Sequence, residues 1–407
     1  MTELELFTAA LDLNWPWKVE QVSFVETDNG KRLELKIGHE RGAHFNYEGE
    51  DYPVYDHRDR TWRHLNFFQH ETLLSASIPR VKLPNGKVRQ VEVPWAVPGS
   101  GFTVLFEDEI VLLLKGGMSK SAVASKLKVG PKVVDRVVSF RVCRALNDQP
   151  LKTVRQLGID ETSRQKGHTY FTVLSDREEK KVVGLSLGKD SDAVGHALID
   201  MEMRGADREK VKIVTSDLSP AYIKAHREML STTDLVFDRF HLAQLMGKAV
   251  DKVRRREQTK QGTNLKRTRF LWLKSSEKLT EKQTEQLALL QEEYAELGEI
   301  YQHKAIFKGL LDDAVRSAKV GPLKAWIKSI VNHAIPELAQ VGATLIRHWF
   351  GIKTYFKWLA SNGYAERINL TIQEIKRTAK GYRNTQNFIH MIYFHLGGLD
   401  LITHIKW

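Results

Sequence analysis

The sequence predicts an α/β protein organised around a mixed sheet that is flanked by helices. Two β-branched runs each end at an acidic residue, Asp160 and Asp217. Between them, a hairpin pattern pairs residues 168–174 with residues 181–187 across a polar turn. Strand and helix patterns then alternate as far as Phe237. A hairpin followed by strand-helix units favours a mixed sheet covered by helices.

The alternating region contains two predicted helices and one last short strand. The helices span residues 192–204 and 220–230, and the strand spans 235–237. Beyond Asp238 the periodicity is helical throughout. Its later segments are predicted at 279–301, 310–331 and 338–359, and Gly363 precedes a final helix that runs to about Lys380.

The N-terminal hundred residues predict a short helix followed by a small β-rich module. The sequence Asp28-Asn29-Gly30 lies between two β-branched runs, which is typical of a hairpin turn. A second hairpin is predicted around Pro84-Asn85-Gly86-Lys87. We expect its strands to be 74–83 and 88–93, and Pro94, Pro98 and Gly99 mark a linker after them.

Residues 107–147 predict a helix-turn-helix. A helix over 107–115 ends at two glycines, Ser119 can cap a short helix, and Pro131 can begin a longer one. This outline is typical of DNA-binding helix-turn-helix modules, although an ordinary helical hairpin fits the spacing equally well. The basic residues that we expect on the DNA side are Lys132, Arg136 and Arg141.

The composition favours a polyanionic partner and excludes a membrane-spanning or disulfide-rich protein. The chain has 407 residues, a net charge of +12 and a pI near 9.5. Its single cysteine, Cys143, has apolar neighbours and is expected to be a small core residue of a reducing compartment. The first residues lack a signal-peptide pattern, and no apolar run is long enough to span a membrane. We therefore expect a cytoplasmic protein.

Three carboxylates predict a metal-dependent nuclease core. Asp160 and Asp217 follow strands, and Glu366 lies far downstream on the last predicted helix. If the fold brings them together, they supply the hard oxygen ligands that two cations about 4 Å apart need around a scissile phosphate. Taken singly, each acidic residue is explained as well by solubility.

A second basic region lies on the helices after the sheet. It can contact phosphates, or it can be a solvated charged face, since Glu257 belongs to it as well. Its members are Lys252, Arg254, Arg255, Arg256, Lys266, Arg267 and Arg269.

The order of these motifs resembles one known family, the bacterial insertion-sequence DDE transposases of the ISL-three type, over nearly the whole chain. The motifs that carry the resemblance are Arg41-Gly42-Ala43, residues 60–65, 93–96, Gly158-Ile159-Asp160-Glu161, residues 217–222, 237–241, 251–255, 361–366 and 380–384. The resemblance implies an RNase H-like catalytic core interrupted by an all-helical insertion. It also implies Asp160, Asp217 and Glu366 as the catalytic, metal-binding triad.

The activity that the resemblance implies is binding of the ends of an insertion sequence, followed by DNA cleavage and strand transfer. Two Mg²⁺ (or Mn²⁺) ions are expected to activate first a water and then a DNA 3′-hydroxyl. The implied partners are double-stranded DNA, as terminal inverted repeats and target, and a second copy of the chain in a homodimer, with the protein associated with the nucleoid. Asp238 and His241 are secondary candidates near the site, and a structural histidine is an equal interpretation of His241.

The domain boundaries follow from the same comparison. We predict a β-rich, degenerate zinc-ribbon-like DNA-binding module at 1–100 and a helix-turn-helix at 101–150. The catalytic core is expected at 151–257, the helical insertion at 258–347, and the final core helices at 348–407.

Two departures from the family pattern keep other functions open. Tyr47, Glu50, Leu83 and Gly86 stand where the family has zinc ligands, so no structural zinc is expected. Hairpin pairing, with Trp62, Phe67 and Phe68, is expected to hold that module instead. Arg367 follows Glu366 where glycine is common. A catalytically weak or inactive transposase-derived DNA-binding protein, or an RNase H-like structure-selective nuclease, therefore remain alternatives.

Overall fold

The computed structural model describes residues 1–28, 30–165, 169–262, 265–360 and 362–402. The chain divides into two compact units. The first contains residues 1–145 and the segment from Leu399 onward, and the second contains residues 146–398. Asn29, His168 and Ser361, which belong to predicted motifs, lie outside the described residues.

The first unit begins with a capped helix and a mixed sheet. Its sheet order is β1-β2-β5-β4-β3, with β6 paired to β5. All neighbours are antiparallel except β2 and β5. The bounds are α1 Glu3–Ala10, β1 Trp17–Thr27, β2 Gly30–His39, β3 His44–Tyr47, β4 Glu50–Phe67, β5 His70–Lys82 and β6 Val88–Gln90.

Both predicted hairpins of this module are present, as the β1–β2 and β5–β6 pairs. Trp62 is 1% exposed and packs edge-on against Trp95 at 5.5 Å, so it belongs to the core as expected. The expectation for the two phenylalanines is wrong, because Phe67 is 37% and Phe68 80% exposed. The tryptophans, rather than these rings, supply the large apolar groups of the core.

Three helices complete the first unit: α2 Val104–Lys115, α3 Lys120–Lys126 and α4 Pro131–Asp148. The Ser119 hydroxyl accepts a hydrogen bond from the Ala122 amide, so the predicted cap is present. Pro131 begins α4, where its missing N–H costs nothing. Cys143 is exposed on α4, so the expectation of a core cysteine is wrong.

The second unit contains a five-stranded sheet in the order β11-β10-β7-β8-β9. Strands β7, β8 and β9 form an antiparallel meander, and β10 is parallel to both β7 and β11. Helices α5 and α6 connect these strands. The bounds are β7 Gln156–Gln165, β8 Thr169–Asp176, β9 Lys181–Leu187, α5 Ser191–Met203, β10 Ile213–Ser216, α6 Pro220–Met229 and β11 Asp234–Phe237.

Nine described helices follow this sheet, interspersed with two short 3-10 turns. They are α7 Arg239–Gln261, α8 Arg269–Leu273, α9 Glu281–Glu293, α10 Ala295–Ser317, α11 Gly321–Ile330, α12 Pro336–Arg347, α13 Trp349–Trp358, α14 Gly363–Thr378 and α15 Thr385–Leu396. The three long predicted helices are each interrupted. The chain breaks at Tyr294, at Ala318, where the backbone is left-handed, and at His348.

One apolar core joins this sheet to the helices after it. Leu157 and Phe237 from the strands share a buried cluster with Leu242, Leu297 and Leu338. A close approach of α13 to β11 explains Gly351, since a Cβ there would lie 2.4 Å from the Phe237 ring. Within the described ranges, no helix has the length and apolar character needed to span a membrane.

Candidate active site

Asp160, Asp217 and Asp238 fall in one row across the parallel strands, the last two directly after the ends of β10 and β11. Gly158 is paired with Thr215 in the β7–β10 register, and Ser216 with Phe237 in the β10–β11 register. Continuing these registers by two residues and by one aligns Asp160 with Asp217, and Asp217 with Asp238. Residues in one row of a parallel sheet point to the same face. Asp160 lies within β7, which continues to Gln165, and not at its end as expected.

The surroundings of Asp160 shift the pKa of its carboxyl group. Its Oδ1 accepts a hydrogen bond from the Glu161 amide at 2.9 Å. Its pKa is raised to about 7, chiefly by burial and in addition by repulsion from Glu161, Asp217 and Glu366, while the Glu161 amide acts in the opposite direction. Asp217 and Glu366, which are distant in the sequence, therefore lie near enough to repel the Asp160 carboxylate. Among the described residues, however, the three carboxylates do not form a group whose donor atoms all lie within 4.8 Å of one another.

Glu366 reaches this region because α14 lies along β7. Asn369, one turn after Glu366, donates from Nδ2 to Asp160 Oδ2 at 2.8 Å and to the Glu161 carbonyl at 3.2 Å. Gln373, one turn further, donates to Thr162 Oγ1 at 2.9 Å. The spacing of three and four residues places these side chains on one helix face.

The same helix face continues along the strand to Ser163. Gln373 Nε2 donates to the Ser163 carbonyl at 2.9 Å, and Lys376 Nζ does so at 3.3 Å. The apolar residues of α14 that are buried are Ala365, Ile368, Ile372 and Ile375. These side-chain contacts fix the helix on β7 and so fix the position of Glu366, which is itself exposed in the first turn.

A buried junction anchors the chain just before α14. The Asn362 amide donates to Asp238 Oδ2 at 2.9 Å, and Thr215 Oγ1 donates to Asn362 Oδ1 at 2.9 Å. Asn362 is 2% exposed. A Cβ at Gly158 would meet Ser175 Oγ at 2.7 Å and Asn362 Oδ1 at 3.2 Å, so this closely packed junction requires glycine.

Asp238 is part of this junction and of a helix cap. Its Oδ1 accepts from the Phe240 amide at 3.0 Å at the start of α7, while Oδ2 accepts from Asn362. The side chain is 4% exposed. Both carboxylate oxygens are therefore engaged by backbone amides, which gives Asp238 a positioning role. His241 lies in the first turn of α7, partly buried, with its ring 5.8 Å from that of Phe240.

The donor set fits divalent cations that prefer oxygen. Asp160, Asp217 and Glu366 offer carboxylates, and a bound cation would relieve the repulsion that the other two exert on Asp160. Asp217 Oδ1 accepts from the Ser219 amide at 2.8 Å, which orients that carboxylate. The Tyr222 hydroxyl donates to Glu161 Oε2 at 2.7 Å, and burial raises the Tyr222 pKa further above its ordinary value.

Comparison with known proteins assigns two segments of the chain. A family model described as "Transposase" matches residues 157–392, which is more than half of the sequence. The chain belongs to the ISL3 family of transposases. A model described as "Helix-turn-helix domain of transposase family ISL3" matches residues 91–142, so the predicted DNA-binding module is confirmed.

Two curated relatives are similar over much of their length. The transposase for insertion sequence element IS1557 of Mycobacterium tuberculosis is 26% identical over 98% of this chain and 96% of its own. The transposase for insertion sequence element IS1001 of Bordetella parapertussis is 26% identical over 66% of this chain and 67% of its own. Together with the family models, they confirm the resemblance on which the sequence interpretation depends.

The helix-turn-helix does not present all three of its predicted DNA contacts. Lys132 and Arg136 are exposed on α4. Arg141 is 2% exposed and forms ion pairs with Glu107 at 3.0 Å and Asp108 at 3.1 Å on α2. Its prediction as a DNA contact is wrong, because the side chain fastens α4 to α2 inside the module.

The second basic region contains both arginines that pair with carboxylates inside the fold and cations that are exposed. Arg254 is 4% exposed and pairs with Asp251 at 2.8 Å. Arg256 pairs with Glu337 at 2.8 Å and with Glu296, so it holds helices of the insertion region together. These two positions are corrected to structural ones. The exposed members are Lys252, Arg255, Lys266, Arg267 and Arg269.

Three polar residues of the site are not predicted as site residues, although two of them stand in the motifs 217–222 and 361–366. Asn369, Asn362 and Tyr222 all contact a residue of the acidic row or its immediate neighbour. Asn369 could have been found, because it follows Glu366 by three residues on a predicted helix and so shares its face. Asn362 and Tyr222 carry no such local signal.

Proposed function

We propose that this ISL3-family transposase cleaves DNA at the ends of its insertion sequence and transfers the freed 3′ ends to target DNA, with Asp160, Asp217 and Glu366 holding Mg²⁺ or Mn²⁺. The observation that supports this most is the position of Asp160 beside the helix that carries Glu366, with its pKa raised chiefly by burial and in addition by repulsion from Glu161, Asp217 and Glu366. A buried carboxylate with further carboxylates near it is a candidate ligand for divalent cations.

The sheet supports an RNase H-like core. A three-stranded antiparallel meander, β7–β9, is extended on the β7 side by two parallel strands, β10 and β11. Helices α7 to α13 lie between the last strand and α14, which returns to β7 with Glu366. We therefore interpret the helical region 258–347 as an insertion that interrupts one catalytic unit, with 348–407 as its completion.

Each side chain has a separate role. Asp160 and Asp217 would hold the cations from the sheet, and Glu366 would hold them from α14. Asn369 fixes Asp160 Oδ2, and the Asp238–Asn362 junction fixes the start of α14. Bound divalent cations supply activation of the attacking oxygen and stabilisation of the leaving oxygen. The chain itself needs no nucleophilic serine or tyrosine, since water and then the DNA 3′-hydroxyl attack.

DNA binding is assigned to the helix-turn-helix and to exposed cations of the second region. Lys132 and Arg136 are the α4 residues that we propose reach DNA, in keeping with their exposure. Two ends must be joined in one reaction, so we propose that a homodimer acts, on the nucleoid in the cytoplasm.

A cleavage assay on the DNA that flanks the coding region tests this function. With Mg²⁺, we expect strand cuts at the element ends that fall by at least about 1,000-fold in Asp160→Asn, Asp217→Asn and Glu366→Gln. Glu374→Gln is the matched control, because Glu374 lies on the same helix as Glu366 but is exposed beside Arg377. Equal cleavage rates for Glu366→Gln and the control would show that Glu366 is not a catalytic residue.

The same assay separates the two alternative functions. End binding without cleavage by the unaltered chain in either metal would indicate a DNA-binding protein that has lost its chemistry. Cleavage without joining of a pre-cut 3′ end to plasmid would indicate a structure-selective nuclease.

A further inference from the structure

A second group of possible metal ligands lies in the helical region, apart from the acidic row. Glu299 and His303 are four residues apart on α10 and therefore share a helix face. His333 lies in the turn between α11 and α12. One donor atom from each of the three lies within 4.8 Å of the others. No other trio of His, Cys, Asp or Glu residues in the described part of the chain meets this distance.

The donor atoms already face one another. Glu299 Oε1 is 3.3 Å from His333 Nε2. The His303 and His333 rings meet edge to face, with centroids 5.1 Å apart. An atom placed among the three groups would therefore find two imidazoles and one carboxylate, with its remaining side available to solvent because the Glu299 side chain is 50% exposed.

His303 has a buried ring nitrogen whose hydrogen-bonding capacity is not satisfied within the described residues. Its Nδ1 is buried and has no hydrogen-bond partner among the described residues. A buried ring nitrogen without a partner is costly in a folded protein and calls for an explanation. Burial and the neighbouring His333 lower the His303 pKa, while Glu299 raises it. Neutral imidazole is the form that binds metals.

His333 needs one rearrangement to become a ligand. The Ile335 amide donates to His333 Nδ1 at 3.2 Å, which leaves the ring proton on Nε2, facing Glu299. Coordination through Nε2 moves that proton to Nδ1, so the bond from Ile335 opens and the Glu299 oxygen turns to the cation. The bond is long, and its loss is a modest cost.

We propose that Glu299, His303 and His333 form a binding site for a borderline divalent cation of the Zn²⁺ or Co²⁺ kind. Two imidazoles and one carboxylate suit such ions, whereas Mg²⁺ prefers oxygen ligands and keeps its water. The site has three protein ligands and a position for water. The expectation of no structural zinc concerns the β-rich module, and this site lies elsewhere in the chain.

A cation here ties α10 to the turn before α12. The ligands come from positions 299, 303 and 333, so one ion closes the loop that contains the end of α10 and all of α11. Metal binding to such a site stabilises the folded arrangement, because the unfolded chain does not hold the ligands together. The helical region then becomes more rigid without any change in the acidic row.

The test measures metal binding by the full-length chain with Mg²⁺ in excess, which occupies oxygen-rich sites. We expect one equivalent of Co²⁺ to bind and to develop visible d–d absorption, and Zn²⁺ to displace it. Zn²⁺ should also raise the Tm by about 4 °C or more. His303→Gln and His333→Gln should each weaken Zn²⁺ binding by more than about 100-fold.

Three further variants make the result decisive. His196→Gln, an exposed histidine on α5, is the matched control and should bind as the unaltered chain does. Asp160→Asn should also retain the ion, which separates this site from the acidic row. Glu299→Gln should lose it even if a histidine variant fails to fold, since that glutamate is half exposed. Unchanged Zn²⁺ binding in the cluster variants, or none by the unaltered chain, would leave only a Glu–His hydrogen bond and overturn the proposal.

Discussion

The predicted triad and the arginines of α4 and α7 differ in the partners that the fold gives their charges. The triad consists of Asp160, Asp217 and Glu366. Asp160 is buried, and Asp217 and Glu366 repel its carboxylate. Arg141 and Arg254, by contrast, are buried against carboxylates of their own unit. A charge that the fold leaves among like charges is available for a ligand. A charge that it neutralises internally serves the structure.

Removing a neutralised arginine should therefore damage the fold. Arg141→Ala leaves Glu107 and Asp108 buried without their partner, and we expect a loss of about 3–5 kcal/mol in the free energy of unfolding. Arg136→Ala, on the exposed side of the same helix, should cost less than about 1 kcal/mol and instead weaken DNA binding. Denaturant unfolding and a DNA-binding assay on both variants give the comparison. Similar free energies of unfolding for Arg141→Ala and Arg136→Ala would contradict the structural role of Arg141.

Loosening the acidic row should reduce activity more than stability. Asn369→Ala removes the hydrogen bonds to Asp160 Oδ2 and to the Glu161 carbonyl. We expect a fall in cleavage rate of about 10–100-fold, with a change in unfolding free energy near 1 kcal/mol. Thr371→Ala on the same helix is the control, since that hydroxyl bonds only to the Arg367 carbonyl. Full activity of Asn369→Ala would show that Asp160 needs no positioning.

The burial of Asp160, together with repulsion from Glu161, Asp217 and Glu366, should appear as a pH-dependent stability in EDTA. The Asp160 pKa is about 7 in the folded chain, against an ordinary value of 3.8. The folded state therefore keeps a proton that the unfolded state has released. The stability linked to this proton is complete below pH 3.8 and is lost as pH rises through 7. At pH 8 the unaltered chain carries the unfavourable charge.

Asp160→Asn removes that charge, so its Tm should exceed that of the unaltered chain by at least about 2 °C at pH 8, and the difference should shrink as the pH falls through 5 and vanish below pH 3.8. Thermal unfolding without metal or DNA measures the difference. Glu374→Gln, on the exposed face of α14, should show no such pH dependence. A Tm difference that stays constant from pH 5 to pH 8 would contradict the raised pKa.

The smallest expected effect concerns phosphate contacts. Replacing the exposed pair Lys252 and Arg267 by Gln should flatten the slope of log K against log salt for DNA binding by about 2 units. Replacing Arg254 should leave the slope unchanged, because its charge is already neutralised by the ion pair with Asp251. An equal change of slope for the buried arginine would mean that it is released to DNA on binding.

The sequence predicts local features of this molecule better than distant pairings. Hairpin turns, the Ser119 cap and the strand ends that precede Asp217 and Asp238 depend on neighbouring residues, and all are present. Strand β4 has no predicted counterpart, since its long run of charged residues hides the alternation of a strand. The breaks at Tyr294 and His348 follow from packing among helices, which no local pattern contains.

The candidate site shows the same division. The triad could be proposed from motif order, but the pairing of Arg141 with Glu107 and of Arg256 with Glu337 joins residues 34 and 81 positions apart. Nothing near either arginine in the sequence indicates a partner. Asn362 at the Asp238 junction is likewise fixed by a contact across 124 residues. Neutralisation inside the fold therefore separates structural charges from functional ones here, and for Arg141 and Arg256 the partner is distant in the sequence.

Mn²⁺ titration by calorimetry tests the central claim most directly. The His303→Gln chain is the background, so that the helical region contributes no site. We expect Mn²⁺ binding that is lost or weakened more than about 100-fold by Asp160→Asn, Asp217→Asn and Glu366→Gln alike, and unchanged by Glu374→Gln. Mn²⁺ binding that survives Glu366→Gln at full strength would show that α14 brings no ligand to the strands, and would contradict the shared metal site.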